Sequence, residues 1–263
     1  MRGRLGGLLG IAAGIAAVAA ISCTKVGTGP SVPVAIEFLA PPLPSLVVGD
    51  SMRDTSGQAA PLRAVVFNSD DQPIPDAPIR FLAIDSLGRV QLDTTTGILV
   101  GRDTGQVRII AHVGSLQSEP ITVTVVQPPT AIFALDPLID TLDYTIDFTT
   151  GRDTLLNMRV RLVHVEGTDT VSVPSYLVRY SFEYPPGFDN SDSTRVQLVN
   201  GSSRKASLLA TTGADGSTAQ ALRITPFATP DTDSVIVAAR AGQPGGPATP
   251  VRFVLHYTIQ VPQ

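Results

Sequence analysis

Between residues 251 and 261 every second side chain is apolar: Val251, Phe253, Leu255, Tyr257, Ile259 and Val261. A period of two places one set of side chains on a single face, which a strand can bury and a helix cannot. The same rule holds elsewhere. Met158, Val160 and Leu162 alternate with Arg159 and Arg161. Val178, Tyr180, Phe182 and Tyr184 alternate with Arg179, Ser181 and Glu183. Val107, Ile109, Ala111 and Val113 share a face opposite Arg108 and His112, and Ile121, Val123 and Val125 alternate with Thr122 and Thr124. No convincing 3.6-residue period follows the first two dozen residues. With 23 glycines and 22 prolines the chain is rich in turn formers. The expected class is all-β, built from short antiparallel strands packed as sandwiches.

Turn signals divide the chain. Residues 34–126 carry early strands at 35–39 and 46–48, a strand at 62–67, a turn at 68–73 and a strand at 79–83. Gln127-Pro128-Pro129-Thr130 reads as a stiff linker, because proline fixes φ and cannot continue a ladder. Residues 131–263 form a second unit. Its 133 residues are long for one sandwich, so enlarged loops are expected. Gly97, Gly101 and Gly105 precede the alternating run at 107–113, where the backbone is expected to turn with positive φ.

The N-terminus has the layout of an export signal. Arg2 and Arg4 are followed by an uncharged run of 17 residues at 5–21, then Ser22 and Cys23, the only cysteine. That run is at the lower limit for a membrane-spanning helix, which needs roughly 20 residues. Ala20-Ile21-Ser22-Cys23 resembles the lipobox of bacterial lipoproteins. The resemblance implies a signal peptide at 1–22, cleavage before Cys23, a diacylglycerol thioether on Cys23, and a flexible tether at 23–33. Membrane attachment through that lipid follows, since each buried lipid CH₂ contributes about 0.8 kcal/mol. In such families Asp after the cysteine marks inner-membrane retention. Thr24 stands there, so the outer membrane or cell surface of a bacterial envelope is the expected location. The alternative is an ordinary cleaved signal with a chance cysteine beside it.

Within residues 34–126, several segments resemble the bacterial immunoglobulin-like domains of group 2, the type found in intimin. They are Val48-Gly49-Asp50, Pro73-Ile74-Pro75-Asp76-Ala77-Pro78-Ile79-Arg80-Phe81, Gly97-Ile98-Leu99-Val100-Gly101 and the run from Thr104 to Ala111. Phe81 occupies the aromatic core position and Gln72 replaces the usual turn glycine. In the second unit, Thr211-Thr212-Gly213-Ala214-Asp215-Gly216-Ser217-Thr218-Ala219 is similar to invasin-type domains. The resemblance implies two tandem immunoglobulin-like antiparallel β-sandwiches following the signal segment.

With Arg2 and Arg4 removed, the 19 basic and 23 acidic residues become 17 and 23, a net charge of −6. That argues against nucleic acid as a partner. With Cys23 acylated no disulfide forms, and no cysteine-based metal site is possible. No cofactor and no metal is expected, and no catalytic residue is identified. His112, His164 and His256 lie far apart in separate strands. Ser202-Ser203-Arg204-Lys205 matches S-x-x-K, but the later elements of that machinery are missing. The acidic runs Ser69-Asp70-Asp71 and 189–193 lack calcium-loop spacing and read as turns. Three functions stay open: a surface-displayed structural or adhesive module with an unknown protein or glycan partner, a carbohydrate-binding accessory, and a subunit of a larger envelope assembly. The absence of tryptophan disfavours the second. The candidate contact residue is Phe188, in a proline- and aspartate-rich loop at 185–192. It either meets a partner or plugs the end of its own core.

Overall fold

The computed structural model describes residues 29, 31–54, 58–85, 87–145, 154–184, 187, 190, 196–224 and 231–260. Among them there is no helix and there are nineteen strands. The first half contains β1 (Ala35–Phe38), β2 (Ser45–Val47), β3 (Ala64–Phe67), β4 (Arg80–Ala83), β5 (Val90–Leu92), β6 (Leu99–Gly101), β7 (Gly105–Val113), β8 (Leu116–Gln117) and β9 (Ile121–Val126). One layer runs β2-β9-β7-β4, with β8 hairpinned onto β7. The other is made of the pairs β1-β3 and β5-β6. Single bridges from Val48 to Gly101 and from Ser51 to Val100 tie β6 to the segment after β2.

The second half contains β10 (Ala131–Ala134), β11 (Ile139–Thr145), β12 (Thr154–Glu166), β13 (Asp169–Ser172), β14 (Leu177–Tyr184), β15 (Val196–Asn200), β16 (Leu209–Thr211), β17 (Ser217–Ile224), β18 (Asp231–Ala241) and β19 (Val251–Gln260). Its layers are β10-β12-β17-β15, with β13 on β12, and β11-β19-β18-β14-β16. In each half the second strand pairs with the last strand at one edge of a layer, β2 with β9 and β11 with β19, and that layer faces another. This is the immunoglobulin-like β-sandwich.

The pairing departs from the antiparallel expectation at one edge of each half. β2 pairs in parallel with β9, and β11 in parallel with β19. In both cases the opening strand is broken and its second piece crosses to the other layer. Pro41, Pro42 and Pro44 lie at the first break and Pro137 at the second. Proline has no N–H to continue the ladder, so the chain changes sheet there.

The alternating runs bury the face that periodicity assigns. Val107, Ile109 and Ala111 are fully buried, and so are Met158, Val160 and Leu162, whose neighbours Arg159 and Arg161 are exposed. Phe81 is buried and packs its ring 5.6 Å from that of Phe38. Between the layers of the second half the Tyr180 hydroxyl donates to the Met158 carbonyl at 3.1 Å. A buried hydroxyl without such a partner would be costly. The length of the second half goes largely into strands: β12 has 13 residues, β18 has 11 and β19 has 10.

The three glycines divide by mechanism. Gly97 and Gly105 hold φ of 75° and 130°. Gly101 does not have positive φ, contrary to expectation. A Cβ there would stand 2.6 Å from the Val47 carbonyl oxygen, so the position needs glycine for close backbone approach between β6 and β2.

Candidate functional site

The candidate site is the joint between the halves and the cleft beside it. Pro128 and Pro129 cannot donate, so the backbone between the halves is fastened by its neighbours. The Thr130 N–H donates to the Val163 carbonyl at 2.9 Å, and the Thr130 hydroxyl accepts from the Val165 N–H at 2.9 Å. The imidazole Nδ1 of His164 lies 2.8 Å from the Pro128 carbonyl oxygen. A carbonyl can only accept, so Nδ1 carries the hydrogen and Nε2 of the neutral ring is left as an acceptor.

The turn between β18 and β19 reaches back to the first half. Gln243 is buried; its amide donates to the Ser45 carbonyl at 3.1 Å, and its side-chain oxygen lies 3.4 Å from the Ser45 hydroxyl. Tyr176 donates its hydroxyl to the Gln243 carbonyl at 2.7 Å. Burial raises the Tyr176 hydroxyl well above its ordinary pKa, so it stays protonated as the donor. Gly245 lets this turn lie against the linker, and Gly246 lets it fold back close to β18. A Cβ on Gly245 would be 3.1 Å from Pro128, and one on Gly246 would be 2.3 Å from the Ala241 Cβ.

Apolar packing runs through the joint. Val47 and Val126 of the first half belong to the core cluster of the second. Leu177 of the second half belongs to the core cluster of the first, with Leu209 packed against it. Two sandwiches joined only by a linker would keep their cores apart; here each contributes side chains to the other.

Beside the joint lies a cleft of about 540 Å³. Thr104, Gln106, Thr124 and Gln127 form its first-half wall, and His164, Glu166 and Ser172 its second-half wall. Val125, Val126, Val171 and Val173 supply apolar floor. That volume is in the range of small-ligand and side-chain sites, which often form at domain boundaries.

No protein-family model matches the sequence, and no curated protein matches it. Solved structures similar to the chain include domains 4 and 5 of the S-layer protein SbsC, at 10% identity and a TM-score of 0.31, over 86% of this chain and 98% of that one. The Yersinia pseudotuberculosis adhesin InvE is similar at 14% identity and a TM-score of 0.34, over 84% of this chain and 58% of that one. Cadherin-like domains 1 to 4 of zebrafish RET are similar at 10% identity and a TM-score of 0.33, over 84% of this chain and 48% of that one. The chain thus spans little more than half of the adhesin chain and less than half of the RET chain. At these TM-scores no property of those proteins transfers to this one.

The residues singled out by sequence scatter. Cys23 and Phe188 lie outside the described residues. His112 is in β7, His164 in β12 and His256 in β19. His256 Nδ1 is 2.7 Å from the Ser234 hydroxyl on an exposed sheet face. Among the described residues no carboxylate is hydrogen-bonded to that ring, so the pair is not extended to a triad. Residues 202–205 form a turn after β15, with the Ser202 and Ser203 N–H groups on the Asn200 side chain. Asp70 and Asp71 sit in a turn closed by Asn68, whose Oδ1 accepts from the N–H groups of Asp70 and Gln72. Of residues 189–193 only Asn190 is described. Its side-chain amide accepts from the Leu198 N–H at 2.6 Å and donates to the Leu198 carbonyl at 3.0 Å, which covers the edge of β15.

Sequence reasoning missed Gln243 and the cleft. The one available signal was the loop Gly242-Gln243-Pro244-Gly245-Gly246-Pro247, which is too rich in glycine and proline for a minimal hairpin turn. His164 reads in sequence as an outward strand residue. Its tie to Pro128 becomes visible only when the halves are docked.

Proposed function

We propose that this chain is a membrane-anchored surface lipoprotein whose two immunoglobulin-like sandwiches, divided at residues 127–130, act together as one stiff structural or adhesive display module. The lipid on Cys23 would hold it to the outer membrane or cell surface, and residues 23–33 would space the first sandwich from the bilayer. It would work by presenting surface to a protein or glycan partner and not by catalysis. The observation that carries this reading is the shared core at the joint, with Val47 and Val126 in one cluster and Leu177 in the other. A flexible string of domains does not need such packing, whereas a spacer that holds its far end at a fixed distance does. The test is made in the native host. Wild-type protein should be found acylated on Cys23 by mass spectrometry and accessible to surface labelling, and Cys23→Ala should remain unprocessed and without lipid. An unmodified Cys23 in mature wild-type protein would overturn the anchor.

A further inference from the structure

We propose that Asn200 carries an N-linked glycan on the turn that follows β15. The proposal rests on the export of the chain argued above and not on its lipid.

The sequence and the fold mark the same residue by different routes. Of the four asparagines, Asn68, Asn157, Asn190 and Asn200, only the last opens an N-x-S/T triplet, Asn200-Gly201-Ser202. That triplet is the acceptor for glycan transfer in exported proteins when its middle residue is not proline. The fold then puts it within reach of a transferring enzyme. Residues 202–206 are exposed, and Asn200 and Gly201 are half-buried. The turn is closed by its own backbone: the Asn200 N–H donates to the Lys205 carbonyl at 2.9 Å, and the Arg204 N–H donates to the Asn200 carbonyl at 2.8 Å.

The Asn200 side chain is held by one end only. Its Oδ1 accepts from the N–H groups of Ser202 and Ser203, each at 3.0 Å. A backbone N–H can be met only by the amide oxygen, so the orientation of the amide is fixed and Nδ2 is its unengaged end. The Asn190 amide, by contrast, is spent at both ends on Leu198. Two donors on Oδ1 polarise the Asn200 amide and make an Nδ2 proton easier to remove. A Cβ on Gly201 would meet nothing within 4 Å, so the space beside the acceptor is open. In the transfer, Nδ2 forms a bond to the anomeric carbon of a sugar activated as a lipid-linked pyrophosphate. The bond from that carbon to the pyrophosphate oxygen breaks, the pyrophosphate leaves with the electron pair, and one Nδ2 proton passes to a base of the transferring enzyme.

The experiment is peptide mapping by mass spectrometry of the full chain and its variants purified from the native host. The peptide spanning residues 196–204 is expected to carry hexose or hexosamine units on Asn200. Ser202→Ala keeps the backbone N–H that Asn200 accepts and destroys the triplet, so it should lose the sugar without a change in melting temperature. Ser203→Ala makes the same chemical change one residue on and should keep the sugar. Asn200→Gln should lose it. An unmodified Asn200 in mature wild-type protein, conversion of its amide to a carboxylate with no sugar, or sugar that survives Ser202→Ala would each overturn the proposal. A bare Asn200 in a chain that still carries its signal segment would overturn the export reading and this proposal with it.

Discussion

Gly49 and Gly97 have nearly the same backbone twist, with φ of 82° and 75°, but different surroundings. A Cβ on Gly49 meets nothing within 4 Å, whereas one on Gly97 would stand 2.7 Å from the Leu62 carbonyl oxygen and 3.0 Å from the Phe81 ring. Gly49→Ala should therefore cost about 1–2 kcal/mol, the penalty of the left-handed conformation alone. Gly97→Ala should cost clearly more, and chemical denaturation of the two variants checks the order. Glu183 offers a pH-dependent case. It accepts from Arg252 Nε at 2.6 Å and is also bonded to Arg240. The Arg252 hydrogen bond is the chief reason its carboxyl lies below the ordinary range. A folded pKa below the unfolded one stabilises the protein above the unfolded value, and that contribution is lost as pH falls through the folded value. Glu183→Gln should thus destabilise at neutral pH, and its difference from wild type should begin to shrink as pH falls below about 4, the ordinary carboxyl value, and be gone only once pH lies below the lowered folded value.

At the scale of the strand, Ile109 gives the plainest measurement. It is fully buried in β7 between Arg108, which is exposed, and Ile110, which is nearly buried on the outer face. Ile109→Ala should cost roughly 2–5 kcal/mol by denaturant unfolding, and a loss below about 0.5 kcal/mol would place the residue on the surface. The register of β7, β9, β12 and β19 was legible in the sequence because alternation is a local property. The split of each opening strand was not read, although Pro41, Pro42, Pro44 and Pro137 mark it, because proline says where a ladder stops and not which sheet the chain joins next. Gly101 was legible as glycine and not as to cause, since close approach to Val47 is set by a partner 54 residues away. The cleft was illegible for the same reason. Thr104, Thr124, His164 and Ser172 are ordinary strand and turn residues until two halves are brought together.

The shared core at the joint makes the whole molecule the unfolding unit. The two halves should melt together in a single calorimetric transition. Gln243→Ala combined with Val126→Ser removes the bonds to Ser45 and part of the apolar contact, and should split that transition in two. If wild type already melts in two steps, the joint does not couple the halves. The parallel edges described above bear on a different property, the response to a pull along the chain. In each half an early strand and the last strand run the same way, so tension from the two ends slides one along the other and strains every rung together, where an antiparallel pair would open one rung at a time. β11 and β19 share seven paired positions and β2 and β9 share three. A molecule pulled from its two ends should accordingly give way in its first half, where the parallel pair is short, and keep its second half folded.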